Sequence, residues 1–497
     1  MFNCHLSILL RPILRESAVS FFGQKPLHCL SMQKVHFIGI AGVGMSATAI
    51  LLKEAGWAVT GSDAECYGPP HDILSRSGIS FSLGYDPKNI PTDVDCFIIG
   101  RNAKLAPTEN AEVRAALASK KPIYSFPEML GELTNNRKNL VVAGSYGKST
   151  ATSIIVHILR HAGIDAGYFI GAEPVETAWL SGPATLGSTA PFILEGDEYP
   201  SAHDDARAKF LHLHPQDVIL TSVVHDHINV YPSFEDYQKP FQELLSLMPD
   251  DGIVVVSADE PGALALAQAS GKKIVSYGIK NNSANYRAID IRYGKRTLFH
   301  LIKDGAMLGE IETTLLGAHN VENIVGAAAY VLTRSLVTFE QVAAAIRDFK
   351  GVRRRLNNIA PLSRIPIFEG FGSSYEKARA AIEAITLHFP TKPLVIIFEP
   401  HTFGWRNRAN LHWYDDVFRE SAAIFIASPA TQGASTHEQL SHEEILARVG
   451  SVAQPYTTPE AVLPSLSGDE AVLILTSGNL EDTIPALVNA LTKKFPV

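Results

Sequence analysis

The stretch NLVVAGSYGKSTATSIIVHILRHAG, residues 139–163, decides the fold of the chain. An apolar run typical of a buried strand leads into a glycine-containing loop, and a segment with apolar residues at helical spacing follows directly. The loop, Gly144-Ser145-Tyr146-Gly147-Lys148-Ser149-Thr150, ends in the G-K-[ST] pattern of a phosphate-binding loop. It is shorter than the usual eight-residue pattern, because Val142 stands where the first glycine belongs. The stretch therefore predicts the strand, phosphate loop and helix of an α/β domain.

The residue types of this loop predict that it binds a nucleoside triphosphate. Backbone amides and the Lys148 ammonium are suited to the β- and γ-phosphates, and the Ser149 hydroxyl is a ligand for Mg²⁺. A chance match in a glycine-rich turn is the alternative. The order of strand, loop and helix argues against it.

Acidic residues follow two later strands of the same region. FILEGDE places Glu195, Asp197 and Glu198 at the end of a strand predicted to run parallel to the strand before the loop, and VILTSVV leads into the triplet His225–His227. Hard cations prefer oxygen ligands, and a neutral imidazole can complete a metal site. Acids in a solvated loop are the alternative, but two strand ends that converge beyond a phosphate loop favour metal ligands.

A second glycine loop lies near the start of the chain. Gly39, Gly42 and Gly44 form G-x-x-G-x-G between the strand KVHFIGI and a helix, and Asp63 ends the next strand. Such a loop lets a backbone approach a pyrophosphate, and an acid at that distance can bind a ribose. A nicotinamide dinucleotide site is therefore one interpretation. Because the spacing differs from G-x-G-x-x-G, a tight turn that binds nothing is another.

From Lys34 onward, strands and helices alternate along the chain in three successive cycles, which indicates parallel sheets. We predict an α/β fold with three consecutive domains, consistent with a length of 497 residues. The predicted domains are a Rossmann-like N-terminal domain (32–135), a central P-loop domain with a mostly parallel sheet (136–350) and a Rossmann-like C-terminal domain (351–497). Residues 1–31 are predicted to be a leader or a mis-assigned start, with Met32 as the favoured initiator.

Composition excludes several classes of function. The formal net charge of −8 disfavours a nucleic-acid partner, because the chain has no broad basic field to meet phosphates. No apolar run approaches the roughly 20 residues that span a bilayer. The four cysteines are scattered without metal-binding or disulfide spacing, which favours the cytoplasm.

The order of these motifs from residue 33 to about 490 resembles the bacterial Mur ligase family, in which an N-terminal domain binds a UDP-linked sugar and a central domain binds ATP. The segment GAHNVEN, residues 317–323, is similar to the family's G-x-H-N-x-x-N, with a simple helix cap as the alternative interpretation. The resemblance implies UDP-sugar contacts from Gly39, Gly42, Gly44, Met45, Ser62, Asp63 and Asn102. It implies ATP contacts from Gly144, Ser145, Gly147, Lys148, Ser149, Thr150, His319, Asn320, Asn323 and Arg355. It implies catalytic roles for Lys148, Glu195 and His227, and metal ligation by Ser149, Glu195 and His227.

The activity implied by the resemblance is ATP-dependent amide formation. ATP phosphorylates a substrate carboxylate, and an amine then attacks the acyl phosphate, so ADP and phosphate are released and no protein nucleophile is needed. Residues 197–231, with DEY followed by D-x-R-x-K-F, are more similar to the family branch that joins UDP-N-acetylmuramate to L-alanyl-γ-D-glutamyl-meso-diaminopimelate in peptidoglycan recycling. The alternatives are the branch that adds L-alanine and a non-catalytic homologue that binds UDP-sugar and ATP.

The third domain departs from the family pattern. Gly370 stands where an aspartate is expected, and Ser373 and Ser374 replace two histidines. We expect Glu369 to act from one position earlier, or the site to have changed its function. The segment EPHTFGWRNR, residues 399–408, resembles another family segment and is predicted to supply a cation, with a solvated surface loop as the alternative.

Overall fold

The structure is a computed structural model that describes residues 33–66, 69–227, 230–430 and 438–497. The predicted leader and the choice between Met1 and Met32 lie outside the described residues. Three separate sheets follow one another along the chain. The predicted α/β fold with three successive units is confirmed, and we call them the first, central and third units.

The first unit has a five-stranded sheet with the order β3-β2-β1-β4-β5, in which all pairs are parallel. Its strands are β1 (Lys34–Ile38), β2 (Ala58–Asp63), β3 (Ser80–Leu83), β4 (Cys96–Ile99) and β5 (Ile123–Tyr124). Its helices are α1 (Val43–Glu54), α2 (Pro69–Arg76), α3 (Ala111–Ala118) and α4 (Phe126–Thr134). The strand order reverses at β1, so the glycine loop after β1 lies at the point where parallel sheets of this kind bind ligands.

The central unit has a ten-stranded sheet with the order β15-β14-β13-β12-β11-β10-β6-β9-β7-β8. Its strands are β6 (Asn139–Ala143), β7 (Ala166–Phe169), β8 (Ala184–Thr185), β9 (Thr189–Glu195), β10 (Pro215–Leu220), β11 (Ile253–Ser257), β12 (Lys273–Gly278), β13 (Tyr286–Arg292), β14 (Thr297–Lys303) and β15 (Ala306–Thr313). Its helices are α5 (Lys148–His161), α6 (Phe234–Ser246), α7 (Pro261–Ala269), α8 (Ala318–Thr333) and α9 (Phe339–Asp348). The six neighbouring strands β9, β6, β10, β11, β12 and β13 are parallel. Beyond β13, β14 and β15 extend the sheet as an antiparallel hairpin that the sequence patterns do not predict.

Alternation along the strands explains why this sheet carries helices on both faces. Leu140 and Val142 pack against α5, α8 and α9, whereas Val141 and Ala143 pack against α6 and α7. Because successive side chains of a strand point to opposite faces, a continuous apolar run requires a cover on each side. This burial on both faces fixes the carboxyl end of β6, and with it the phosphate loop.

The third unit has a six-stranded sheet with the order β16-β17-β21-β18-β19-β20, parallel except for the pair of β16 and β17. Its strands are β16 (Arg355–Asn358), β17 (Ile367–Gly370), β18 (Leu394–Phe398), β19 (Ala423–Ile426), β20 (Ala453–Pro455) and β21 (Ala471–Leu475). Its helices are α10 (Tyr375–His388), α11 (Phe403–Arg406), α12 (His442–Val449) and α13 (Ile484–Lys494). Among the described residues, no helix has the length and apolar character needed to cross a membrane.

Candidate active site

The phosphate loop adopts a conformation that needs glycine at two places. Gly147 precedes α5 with φ +84°, and Gly144 has φ +142°. A Cβ on Gly144 would lie 2.2 Å from Thr221 Oγ1, and one on Gly147 would lie 2.6 Å from Asn323 Oδ1. Positive φ and these close approaches explain why the loop between β6 and α5 carries two glycines. As a result, the backbone amides at the start of a 14-residue helix lie at the mouth of the loop.

Lys148 is held by Glu198, one of three carboxylates that lie close together in the sequence. Its Nζ donates to Glu198 Oε2 at 2.7 Å and to the carbonyl oxygen of Gly144. Burial opposes the charge of Lys148, but Glu198, Asp197 and Glu195 outweigh it and raise the pKa of the ammonium. Lys148 is therefore a fixed cation at the loop.

Two carboxylates near Lys148 are in different electrostatic states. Burial raises the pKa of Glu195, and Lys148 only partly offsets this. Burial also opposes the charge of Glu198, but there the directly bonded Lys148 and the nearby His227 prevail and lower the pKa. The difference follows from contact, since Glu198 forms an ion pair with the ammonium and Glu195 does not.

Two of the three predicted metal ligands meet in the structure, and the third contacts a different carboxylate. Ser149 Oγ donates to Glu195 Oε1 at 2.8 Å, so one hydroxyl and one carboxylate meet beside the loop. The third, His227, has its Nε2 3.2 Å from Glu198 Oε1, and the other oxygen of that carboxylate accepts from Lys148. Hydroxyl and carboxylate oxygens are the donors that Mg²⁺ prefers, so Ser149 and Glu195 fit that ion. The pairing of His227 with Glu198 identifies a further carboxylate at the site.

A cavity of about 550 Å³ opens above the loop, between the central and third units. It is lined by predicted ATP and metal residues from four separate segments: Ser145, Gly147, Lys148, Ser149, Thr150, Glu195, His319, Asn320, Asn323 and Arg355. Gly144 and His227 contribute through the loop conformation and the contact with Glu198, and neither lines the cavity. The Ser145 hydroxyl donates to the carbonyl of Val224 at 2.8 Å, so it also braces the loop.

The end of the cavity away from the phosphate loop contains residues that sequence motifs do not identify. Tyr277 and Ile279 lie at the end of β12, and Glu322 lies in the first turns of α8. β12 is three strands from β6, so its end is about 14 Å from the loop at the usual strand spacing. His319 also lines the cavity, and burial lowers its pKa to about 4, which keeps the imidazole neutral. Tyr277, Ile279 and the neutral His319 offer two rings and an apolar side chain against which a nucleobase can pack.

The third unit closes the cavity with Arg355, Gly370, Phe371 and Lys377. Arg355 lies over the ring of Phe371, with Cζ 4.7 Å from the ring centroid. A Cβ on Gly370 would lie 3.0 Å from Leu475 Cδ2, so the crowded sheet leaves little room for a side chain there.

The departures of the third unit from the family pattern have structural explanations. Ser374 caps α10, since its hydroxyl oxygen accepts from the Lys377 backbone N–H at 3.4 Å. Glu369 does not line the cavity, and its Oε1 lies 3.2 Å from Arg354 Nε. Glu369 is therefore occupied in an ion pair.

The cation expected from residues 399–408 does not reach the cavity. Arg406 is buried and donates to the carbonyl of Ala430, while Arg408 forms ion pairs with Glu438 and Glu444. The expectation that this segment supplies the cation is wrong for the cavity described here, because both guanidinium groups are used to hold α11 and its neighbours. Lys377, which no sequence motif identifies, lines the cavity instead.

In the first unit, the predicted UDP-sugar residues divide between a loop and a core. Asp63 braces the glycine loop, because its carboxylate accepts from the Ala41 N–H at 2.8 Å and from the Tyr85 hydroxyl at 2.9 Å. Ser62 is fully buried and its hydroxyl donates to Glu112, and Met45 is a buried core residue of α1. These contacts favour structural roles for Ser62 and Met45.

The glycines of the first loop also have packing roles. Gly39 has φ +88°, and a Cβ on it would lie 2.6 Å from Leu105 Cδ1. A Cβ on Gly44 would lie 2.7 Å from Phe126 Cζ, so this glycine lets α1 approach α4. Gly42 is the residue before α1, and it alone of the three has no close neighbour that excludes a side chain.

An open groove of about 730 Å³ lies beside these residues, lined in part by Ala64, Tyr85, Lys104 and Asn110. The nearby Asn102 accepts from the Lys104 N–H at 2.9 Å through its side chain. The carbonyl of Asn102 also lies 2.9 Å from His203 Nε2 of the central unit. Asn102 therefore links the first unit to the central one.

Comparison with known families gives two matches in this chain. The Mur ligase family, catalytic domain, matches residues 34–138, and the Mur ligase middle domain matches residues 142–331. Together they cover the first unit and most of the central one.

Individual relatives agree on the family and differ in the second substrate that their names give. A UDP-N-acetylmuramate–L-alanine ligase of Aquifex aeolicus is 30% identical over 374 residues, which is 75% of this chain and 79% of that protein. The solved UDP-N-acetylmuramate–alanine ligase of Thermotoga maritima has a TM-score of 0.76 at 21% identity and covers 93% of this chain and 99% of its own. The solved UDP-N-acetylmuramate:L-alanyl-γ-D-glutamyl-meso-diaminopimelate ligase from Neisseria meningitides has a TM-score of 0.59 at 27% identity, and it covers 65% of this chain and 100% of its own.

Proposed function

Because the chain belongs to the Mur ligase family, whose members are ATP-dependent ligases that form a C–N bond, we propose that it joins UDP-N-acetylmuramate to L-alanyl-γ-D-glutamyl-meso-diaminopimelate. The carboxylate of the sugar would be phosphorylated by ATP, and the free amine of the tripeptide would displace phosphate from the acyl phosphate. In the first step the bond between the γ-phosphorus and ADP breaks and a bond to the carboxylate oxygen forms. In the second step the C–O bond to phosphate breaks and the C–N bond forms, so ADP and phosphate leave.

The observation that carries this proposal is the cavity between the central and third units. It brings Lys148 and Ser149 of the phosphate loop to one wall and Arg355 and Lys377 of the third unit to another. Joining a carboxylate to a phosphate brings two anions together, which requires fixed positive charge and exclusion of water. A cavity with cations on two sides meets that requirement.

The residues of the chain divide the work in the proposed reaction. Lys148 and the loop amides hold phosphate oxygens, and Ser149 with Glu195 would hold Mg²⁺, which supplies Lewis-acid stabilisation of the phosphate charge when bound. Glu198 accepts a hydrogen bond from Lys148 and contacts His227, and in this proposal the two residues position Lys148. His319, Asn320 and Asn323 would contact the base and sugar of ATP.

The groove of the first unit is the proposed site for the UDP moiety. The amides of residues 39–42 bond within the first unit, Ala41 to Asp63 among them, so a UDP moiety would meet the start of α1 from Val43 onward. Helix N-termini of this kind bind pyrophosphate. In this proposal Gly39, Gly42 and Gly44 shape the loop and Asn102 orients it against the central unit.

The choice of the tripeptide rests on residues 197–210. Arg207 donates to both carboxylate oxygens of Asp205, and Lys209 forms an ion pair with Asp197, next to Glu198. The Lys209 ion pair thus attaches the D-x-R-x-K-F segment, residues 205–210, to Asp197, whose neighbour Glu198 accepts from Lys148. The alternative is L-alanine as the second substrate, which is favoured by the 30% identity to a ligase of that name.

An assay of ADP release distinguishes these proposals. Purified protein with ATP, Mg²⁺ and UDP-N-acetylmuramate is supplied with the tripeptide or with L-alanine, and Lys148→Ala serves as the inactive control. Release that depends on the tripeptide supports the proposal, while release with L-alanine alone overturns the assignment of the second substrate. Binding of ATP without release in either case would identify a non-catalytic homologue.

A further inference from the structure

We propose that Lys377 contacts the γ-phosphate of bound ATP and supplies, from the third unit, the positive charge opposite the phosphate loop. This inference rests on the proposed function for the presence of ATP in the cavity. It assigns to Lys377 the role of third-unit cation, which was expected of residues 399–408.

The position of Lys377 brings it to the reacting end of the cavity. It is the third residue of α10, which begins directly after the loop that follows β17. Its side chain lines the same cavity as Lys148 and Ser149. Because Lys148 lies in the loop suited to the terminal phosphates, a side chain that shares its end of the cavity faces the γ-phosphate.

The charge of Lys377 is only weakly compensated within the described residues. Its Nζ lies 3.8 Å from Asp226 Oδ2, which is beyond direct hydrogen-bond distance. Burial lowers the pKa of the ammonium, and Asp226 and Glu198 only partly restore it, while Lys148 and Arg355 act in the same direction as burial. Three cations therefore face one another across the cavity, an arrangement that a phosphate anion would stabilise.

Helix stability does not explain a lysine at this position. The first turn of an α-helix carries partial positive charge, so a cation there is unfavourable and acidic residues are favoured instead. α10 is 14 residues long and its N-terminus faces the cavity through Glu376 and Lys377. The lysine and the helix N-terminus together form a site with two sources of positive charge for an anion.

The two arginines at the start of the third unit lie against neighbours of their own unit. Arg354 lies 3.2 Å from Glu369 and donates to the carbonyls of Thr476 and Gly478. Arg355 is stacked on Phe371. Gly370, Ser373 and Ser374 carry no charge. Among the described third-unit residues that line the cavity, Arg355 and Lys377 are the cations, and Lys377 is the one ammonium.

The test compares binding of a non-hydrolysable ATP analogue with binding of ADP by isothermal titration calorimetry in Mg²⁺. The proteins are wild type, Lys377→Met, Lys377→Arg and the control Lys493→Met, which removes an exposed lysine of the third unit. Lys377→Met is expected to weaken binding of the analogue about tenfold or more, since a charge-assisted hydrogen bond is lost, and to leave ADP binding within about twofold. Lys377→Arg is expected to restore most of the difference, and Lys493→Met to show none.

Equal loss for analogue and ADP, or no loss for either, would overturn the assignment to the γ-phosphate. If Lys377→Met is unstable by thermal unfolding, the comparison of analogue with ADP in Lys377→Arg and in Lys377→Gln decides instead. The readout is independent of the ligase assay. A wild type that binds the analogue through Lys377 but releases no ADP with either second substrate would refute the proposed function and leave this inference standing.

Discussion

At the scale of single residues, Glu198 is the acid that the motifs name without deciding its role. The metal ligand predicted among three neighbouring acids is Glu195, and it does meet Ser149. Glu198, three residues later, is fully buried and holds both Lys148 and His227. Sequence order gives three candidates within four residues, but only the path of the chain after β9 decides which of them turns toward the lysine.

Glu198→Gln tests that role. The amide keeps the size of the side chain but loses the ion pair, so Lys148 is no longer held in place. We expect kcat/KM for ADP release to fall about 10- to 100-fold, the usual effect of residues that position a ligand. Glu176→Gln, which changes an exposed acid of the same unit, is the control. Activity of Glu198→Gln equal to that of the control would contradict the role.

Glu322 gives a prediction on pH dependence. Burial raises the pKa of this carboxyl to about 7, with Asp259 and Glu260 adding to the effect. The folded protein thus holds the proton more tightly than the unfolded chain, so the stability contributed by protonated Glu322 is lost as pH rises from about 4.5 to 7. The loss is about 3 kcal/mol at most.

Glu322→Gln removes this titration and keeps an acceptor for the Ser257 hydroxyl, which donates to Glu322 in the structure. We expect the variant to exceed wild type in thermal unfolding temperature at pH 8, with a clearly smaller difference at pH 5. Differential scanning calorimetry measures both. Glu310→Gln, at an exposed position in β15 of the same unit, should show no such pH dependence. The same difference at both pH values for Glu322→Gln would refute the assignment.

At the scale of elements, the join between β6 and α5 sets the geometry of the site. The strand is buried on both faces and the helix begins at Lys148, so the four residues between them must turn sharply. Gly147 makes that turn possible with φ +84°. The join is local in sequence, and for this reason it can be predicted from residues 139–163 alone.

Two glycine substitutions separate strain from crowding at this join. Gly147→Ala forces a side chain into a left-handed conformation and places Cβ 2.6 Å from Asn323 Oδ1. Gly163→Ala, after the other end of α5, has the same φ of +84° but no atom within 4 Å of the added Cβ.

Each alanine is expected to cost about 1–2 kcal/mol through backbone strain. Only Gly147→Ala should also lose ATP binding, because Asn323 and the loop are pushed apart. Thermal unfolding and nucleotide titration measure the two effects. Normal ATP binding by Gly147→Ala would show that the loop relaxes without harm.

At the scale of the whole molecule, the site exists only where the third unit meets the central one. His388 of α10 is part of that contact. Its Nε2 accepts from the Gly317 N–H at 2.9 Å, so its Nδ1 carries the hydrogen and donates to the carbonyl of Gly294 at 2.7 Å. Gly317 directly precedes α8 and lines the cavity, so the contact connects the third unit to the wall of the site.

This contact should weaken in acid. Burial lowers the pKa of His388, which means that the folded protein disfavours its charged form. The stability that neutral His388 contributes is present above its unfolded value near 6.5 and is lost as pH falls below it. Protonation at Nε2 also removes the acceptor for Gly317.

We expect the wild-type protein to become more susceptible to proteolysis around residues 351–358 as pH falls from 7 to 5.5. His388→Gln, which keeps an acceptor but does not titrate, is expected to show a smaller change. A change of equal size in both proteins would place the pH sensitivity elsewhere.

The sequence by itself determined the local parts of this protein. Residues 139–163 predict strand, loop and helix, the alternating pattern predicts three α/β units, and the glycines at 39, 144 and 147 mark turns that only glycine makes easily. These features depend on neighbours within a few residues, since propensity, period and backbone strain act over short distances.

Only the tertiary structure decided which side chains meet. Along the chain, nine strands of the central sheet and two of the third separate Lys377 from Lys148. Tyr277 and Glu322 reach the cavity from different elements, and Ser62 turns inward to Glu112 because alternate residues of β2 face opposite sides. The phosphate loop of residues 144–150 is therefore half of a site. Its other half, the cations of the third unit, is placed by packing between units, which acts over distances that no local pattern encodes.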